Sequence, residues 1–203
     1  MCWAILPDST AGGELSPPAV SARQKGGIAV GYIYVGCACL IGLVFAASAV
    51  TKLRDFDGFV DSIPGLVPMR AGSTRPIGYA VVAGEISVPV LVPVPPTRGP
   101  GFAIAGVLLA AFTAAIGAAL RRGRRSSCRC FGASDAPLGP RHLVRNGVLL
   151  AASIAGLSAT GVGSSADLLP PLAGCAVAMV VGLVGALLII SLDDIVDLFA
   201  RNA

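Results

Sequence analysis

Five stretches of the sequence run apolar for close to the ~20 residues that a helix needs to cross the hydrocarbon core of a bilayer. They cover residues 28–51, 76–94, 101–120, 143–163 and 172–192. Charge, proline or glycine punctuates them: Lys52, Arg54 and Asp55 after the first, Pro95 and Pro96 after the second, Arg121 after the third. Gly139 and Pro140 precede the fourth, and Asp193 and Asp194 close the fifth. The second stretch is short and carries Glu85 and Pro89, but proline is tolerated in membrane helices. Only 13% of residues are charged and 55% are hydrophobic. A soluble domain uses about a quarter charged residues to cover its surface, so a soluble enzyme and a disordered chain are both excluded. The unbroken apolar runs lack the alternation of a membrane β-barrel. The sequence therefore predicts an all-α, polytopic membrane helix bundle of about five transmembrane helices, a four-helix core plus a fifth.

Residues 1–27 mix prolines, glycines and scattered charges without periodicity, which predicts a mobile N-terminal tail. The transmembrane domain is expected at 28–192 and a short C-terminal tail at 193–203. The first apolar run exceeds the length of a signal-peptide core, so it reads as an uncleaved anchor. Lipid tails are as apolar as the helices, so association must come from close backbone approach at small residues. Stripes at four-residue spacing supply it: Ala38, Gly42 and Ala46; Gly106, Ala110, Ala114 and Ala118; Gly174, Ala178, Gly182 and Ala186. Residues 56–69, with Phe59, Val60, Ile63, Leu66 and Val67 among Asp and Pro, read as a segment lying along the interface.

With five spans, the tail, the second loop (with Arg98) and the fourth loop share one side of the membrane, which carries Arg23, Lys25 and Arg98. The other carries Lys52, Arg54, Arg70, Arg75, Arg121, Arg122, Arg124, Arg125, Arg129, Arg141, Arg145 and Arg201. The positive-inside rule places loop 121–142 in the cytoplasm and the N-terminus outside. The basic residues thus sit where topology requires them, and the net charge of +4 gives no sign of a nucleic-acid partner.

The cysteines differ in kind. Cys2 lies in the tail, while Cys37, Cys39 and Cys175 lie in apolar stretches and read as small packed thiols. Cys37 and Cys39 are two apart and do not face each other on a helix. Cys128 and Cys130 instead sit in a polar loop, Ser126-Ser127-Cys128-Arg129-Cys130-Phe131-Gly132. A bond between them would close a very small ring, departing from relaxed disulfide geometry and easily reduced, which suits exchange better than stapling. Arg121, Arg122, Arg124, Arg125 and Arg129 around the pair favour the thiolate. Inert loop thiols are the plain alternative. A zinc site is disfavoured, because His142 is the only histidine and the spacing is wrong; no metal ligand set and no cofactor is assigned. Glu85 is an ionisable group within an apolar span, hence either a functional residue or one half of an ion pair with Lys52 or Arg145. Arg145 and Asn146 open the fourth span.

Together these residues resemble the methylamine utilisation protein MauE family, small membrane proteins similar to the DoxX-type redox-associated group. The resemblance rests on Ser48-Ala49-Val50-Thr51-Lys52-Leu53-Arg54-Asp55 with Phe59, on Gly84-Glu85, and on the arginine run from Arg121. Cys128-Arg129-Cys130-Phe131-Gly132 and Leu143-Val144-Arg145-Asn146 complete it. It covers about residues 28–162. The loop chemistry makes Cys128 and Cys130 the candidate catalytic pair, and the resemblance sets Arg129, Phe131, Gly132, Glu85, Lys52, Arg145 and Asn146 in support. The resemblance also implies a role in the processing, transport or maturation of the methylamine dehydrogenase small (β) subunit, or of a similar secreted, disulfide-containing client, beside a thioredoxin-like MauD-type partner. Two other readings stand beside this one: a non-catalytic membrane scaffold for the thioredoxin-like partner, and a small-solute carrier using Glu85. The arginine count puts the cysteine pair inside, whereas the client matures outside. Either the count misleads or the pair passes reducing equivalents across the bilayer.

Overall fold

The computed structural model of the protein describes residues 17–66, 73–122, 140–161 and 172–200. Its elements are α1 (Pro17–Arg54), α2 (Phe56–Leu66), α3 (Thr74–Leu91), a 3-10 turn (Pro95–Thr97), α4 (Arg98–Arg121), α5 (Pro140–Gly161) and α6 (Leu172–Ala200). Helices α1, α3, α4 and α5 form a ring, in which α1 and α4 each pack against both α3 and α5. The fifth long helix, α6, packs on α1, and α2 lies across the end of the ring against α3 and α4.

Among the described residues, four segments are long and apolar enough to cross a membrane: Ala29–Arg54, Pro95–Arg121, His142–Gly161 and Leu172–Ser191. Helix α3, which carries the second apolar stretch, is not among them; Arg75, Pro76, Glu85 and Pro89 dilute its hydropathy. It still runs deep along α1. Glu85 meets Ser48 at one level, and Tyr34 donates a 2.8 Å hydrogen bond to the Val92 carbonyl at another. From Tyr34 to Ser48 is ~21 Å of helix at 1.5 Å per residue.

Several boundaries differ from the sequence reading. Helix α1 begins at Pro17, so residues 17–27 are helical rather than tail; Pro17 and Pro18 fall in the first turn, where proline costs no hydrogen bond. Helix α6 continues past Asp193 and Asp194 to Ala200, through most of the expected C-terminal tail. Residues 1–16 lie outside the described residues. Between α1 and α2 there is a single residue, Asp55, whose carboxylate accepts a 3.1 Å bond from the Gly58 N–H and so caps α2. At the other end of α2, Arg122 donates to the Leu66 carbonyl at 2.9 Å. The apolar face of α2 (Phe59, Val60, Ile63, Leu66) is buried against the bundle.

The end of α3 must satisfy its carbonyls where water is scarce. Thr97 does part of this, donating to the Leu91 carbonyl at 2.9 Å and lying 3.2 Å from that of Val94. Beside it Arg98, assigned above to a loop, is the first residue of α4; it is buried, with its guanidinium 4.6 Å from the Tyr34 ring. A Tyr34→Phe replacement removes the buried donor to Val92 while keeping the ring. It is expected to lower stability by about 1 kcal/mol, read as a shifted unfolding midpoint in detergent.

Of the three small-residue stripes, the one on α6 makes the close approach. A methyl group at Gly174 would collide with the Tyr32 ring, and one at Gly182 would lie 2.7 Å from the Gly36 carbonyl oxygen. The α1 face that receives α6 is Tyr32, Gly36, Cys39 and Leu40, not the Ala38–Gly42–Ala46 stripe, where Gly42 has nothing within 4 Å of such a methyl. On α4, Gly106 is equally open. There the close approach is a ring into a gap, since Phe102 fills the space that a side chain at Gly156 of α5 would take.

Candidate functional site

Helix periodicity places the polar residues of three helices on faces that turn inward. Buried α1 residues Tyr34, Ile41, Phe45, Ser48 and Lys52 recur at helical spacing, as do Gly78, Val82, Glu85 and Val88 on α3. On α5 the buried face is His142, Arg145, Asn146, Leu149 and Ser153. These faces are apolar through the middle of the bundle and polar towards the end where α1 finishes and α5 begins.

Lys52 anchors that end. Helical side chains lean towards their own N-terminus, so a lysine in the last turn of α1 reaches back into the bundle. Its ammonium lies 2.7 Å from Glu85 Oε1 and 2.6 Å from Ser48 Oγ one turn earlier. Ser48 donates in turn to Glu85 Oε1 at 3.0 Å, which links the three side chains in one network. Each of the three is 1% exposed. The rings of Phe59 from α2 and Phe112 from α4 lie 5.3 and 5.5 Å from the ammonium, offering their negative faces to a cation that water does not reach. Arg145 is also buried, and its charge acts on Lys52. Glu85 Oε2, Asn146 Oδ1 and Ser153 Oγ are buried acceptors without a hydrogen bond from the described residues.

Glu85 is thus one half of an ion pair with Lys52, the first of the two partners considered for it. A carrier path through Glu85 finds no support. Between this cluster and Arg98 at the other end, the interior is filled by Ile41, Val44, Phe45, Val88, Phe102, Ala105, Leu109 and Leu149. Ser48 is legible as part of the network only from its four-residue spacing to Lys52. Phe59 was named only for the interfacial segment and the resemblance, and Ser153 and Phe112 were not singled out; the i, i+3, i+4 recurrence on α5 is the signal that points to Ser153. Among the described residues, no three His, Cys, Asp or Glu side chains gather as a metal site requires.

The proposed catalytic pair, Cys128 and Cys130, lies outside the described residues, as do Arg129, Phe131 and Gly132. What is described is the anchoring of that stretch, with Arg121 and Arg122 closing α4 and Pro140 opening α5. Cys37, Cys39 and Cys175 are thiols. Cys37 packs on the main core, whereas Cys39 faces α6, where its thiol donates to the Met179 carbonyl at 3.4 Å.

A helical bundle with four membrane-length helices and a charged, dehydrated knot at one end is a multi-pass membrane protein. The model of the family described as methylamine utilisation protein MauE matches residues 30–159, from early α1 to the end of α5, and the chain belongs to that family. No curated protein and no solved structure matches the chain.

Proposed function

We propose that this membrane protein of methylamine utilisation supports the maturation of a secreted, disulfide-containing client by thiol–disulfide exchange at Cys128 and Cys130. The methylamine dehydrogenase β-subunit is the client that the family implies. The carrying observation is the Cys128-Arg129-Cys130-Phe131-Gly132 element, inside the family-matched residues and between two membrane helices. Its arginine neighbours hold a thiolate available for attack. In the oxidising direction, a client thiolate attacks the Cys128–Cys130 bond to give a mixed disulfide. A second client thiol then resolves it. The client loses two electrons and two protons and the pair gains them. A thioredoxin-like MauD-type protein, itself in disulfide form, takes those electrons from the pair by the same exchange. The Lys52–Glu85–Ser48 network and the buried Arg145 and Asn146 support the reaction by fixing the helix ends that carry the segment.

The test is Cys128→Ser and Cys130→Ser in cells that make the client. Each variant inserts normally, and oxidised client is expected to fall to the level of a deletion strain. Trapping of free thiols by alkylation, followed by mass spectrometry, is expected to find a mixed disulfide with the single-cysteine forms. If the double serine variant still captures the thioredoxin-like partner and matures the client, the protein is a scaffold and the exchange chemistry is excluded.

A further inference from the structure

A groove of about 600 Å³ runs along the outside of the bundle between α4 and α5, lined by Ala110, Thr113, Ala114, Gly117, Ala118 and Arg121 with Leu143 and Leu150 opposite. The α4 positions recur at helical spacing and form one face. The opposite face of α4, with Ile116 and Ala119, is buried against Leu66. The groove exists because the two helices make their closest contact elsewhere, at Phe102 and Gly156 and near Gly99 and Leu157. The floor of the groove at Gly117 is open, since a methyl built there would meet nothing within 4 Å. The groove is also dry in character, since its one hydroxyl, Thr113, is spent on the Leu109 carbonyl at 2.7 Å.

Length and charge identify an occupant. From Ala110 to Arg121 is ~16 Å of helix, close to the ~15 Å of hydrocarbon in one bilayer leaflet. The deep end is small and apolar, and the shallow end carries an exposed arginine in the last turn of the helix. We propose that this groove seats one acyl chain of an anionic phospholipid, with the lipid phosphate held by Arg121. Neighbouring Arg122 turns towards α2, where it donates to the Leu66 carbonyl at 2.9 Å. The site shares Arg121 with the arginine run beside Cys128 and Cys130, but it does not rest on the thiol chemistry proposed above, and its readout is lipid labelling rather than client oxidation.

The test uses the full chain in mixed phosphatidylglycerol and phosphatidylcholine vesicles, with a photoactivatable acyl chain on one lipid or the other. Labelled peptides are mapped by mass spectrometry. Residues 110–121 and 143–150 should label preferentially with the phosphatidylglycerol probe. Arg121→Gln should reduce that preference about fivefold, the factor for one basic residue at an anionic surface. Gly117→Leu fills the recess and should remove groove labelling by both probes, while labelling of the outer face of α6 stays unchanged. If Gly117→Leu does not fold, Ala114→Phe, one turn away on the exposed face, makes the same test. Equal labelling by the two probes, indifference to Arg121→Gln, or copy-to-copy crosslinks at Ala114 would each overturn the assignment, the last by showing a second chain in the groove.

Discussion

Replacing Glu85 with leucine is expected to lower the stability of the bundle by about 3–5 kcal/mol, the cost of breaking a buried ion pair by removing one partner. The loss is large because of what remains. Lys52 is 1% exposed, at the end of a side chain directed into the bundle, and neither a serine hydroxyl nor the faces of Phe59 and Phe112 carry the full charge of the carboxylate that now lies 2.7 Å away. Lys52→Met is expected to be costly for the converse reason, since it strands the Glu85 carboxylate. The double variant Lys52→Met/Glu85→Leu should recover most of the stability, because apolar residues of similar volume can replace a buried pair at little cost. The measurement is a double-mutant cycle on unfolding midpoints in detergent, followed by circular dichroism. Two single losses that simply add would show that the pair is uncoupled and that the short distance carries no energy.

The cluster was half visible in the sequence, for a physical reason. An acidic residue in an apolar run demands a partner, so Glu85 announces itself, and Lys52 and Arg145 are the cations near the helix ends. Choosing between them needs the crossing of α1 and α3, which depends on where side chains interlock and not on hydropathy. Arg98 was misread as a loop residue because Pro95 and Pro96 mark a break. The break is one 3-10 turn long, and the guanidinium is drawn under it by the Tyr34 ring. The five apolar stretches all became helices, since in hydrocarbon the backbone must satisfy its own hydrogen bonds. Their ends were less legible. A helix that leaves the membrane keeps going while its backbone bonds hold, as α1 does upstream of residue 28 and α6 does beyond Asp193. The small-residue stripes were legible as a class, but only the geometry tells which one is used. Gly182 is pressed against α1 backbone, whereas Gly42 faces open space.

That difference sets up the second large effect. Gly182→Leu is expected to lift α6 from α1, whereas Gly42→Ala should leave the protein unchanged. A side chain at Gly182 meets the Gly36 carbonyl oxygen at 2.7 Å, the Cys39 Cβ at 2.8 Å and the Leu40 nitrogen at 3.2 Å. Two of these atoms are backbone in the middle of a long helix, so they cannot turn aside as the tip of a side chain would. Overpacking of this kind costs about 1–3 kcal/mol, and docking of α6 depends on α1, the helix it chiefly packs against. In hydrocarbon no hydrophobic force holds a helix whose packing has failed, so the shift in docking should reach about tenfold or more at the upper end of that range. The readout is a short bifunctional thiol crosslink between Cys39 and a cysteine introduced by Met179→Cys, since the Cys39 thiol lies 3.4 Å from the Met179 backbone carbonyl oxygen, in a chain where the other cysteines are serine. The crosslink should form readily, survive Gly42→Ala, and be lost with Gly182→Leu, while the protein stays monodisperse because the ring of α1, α3, α4 and α5 does not need α6. An undiminished crosslink in Gly182→Leu would mean that α6 is held by something other than close backbone approach.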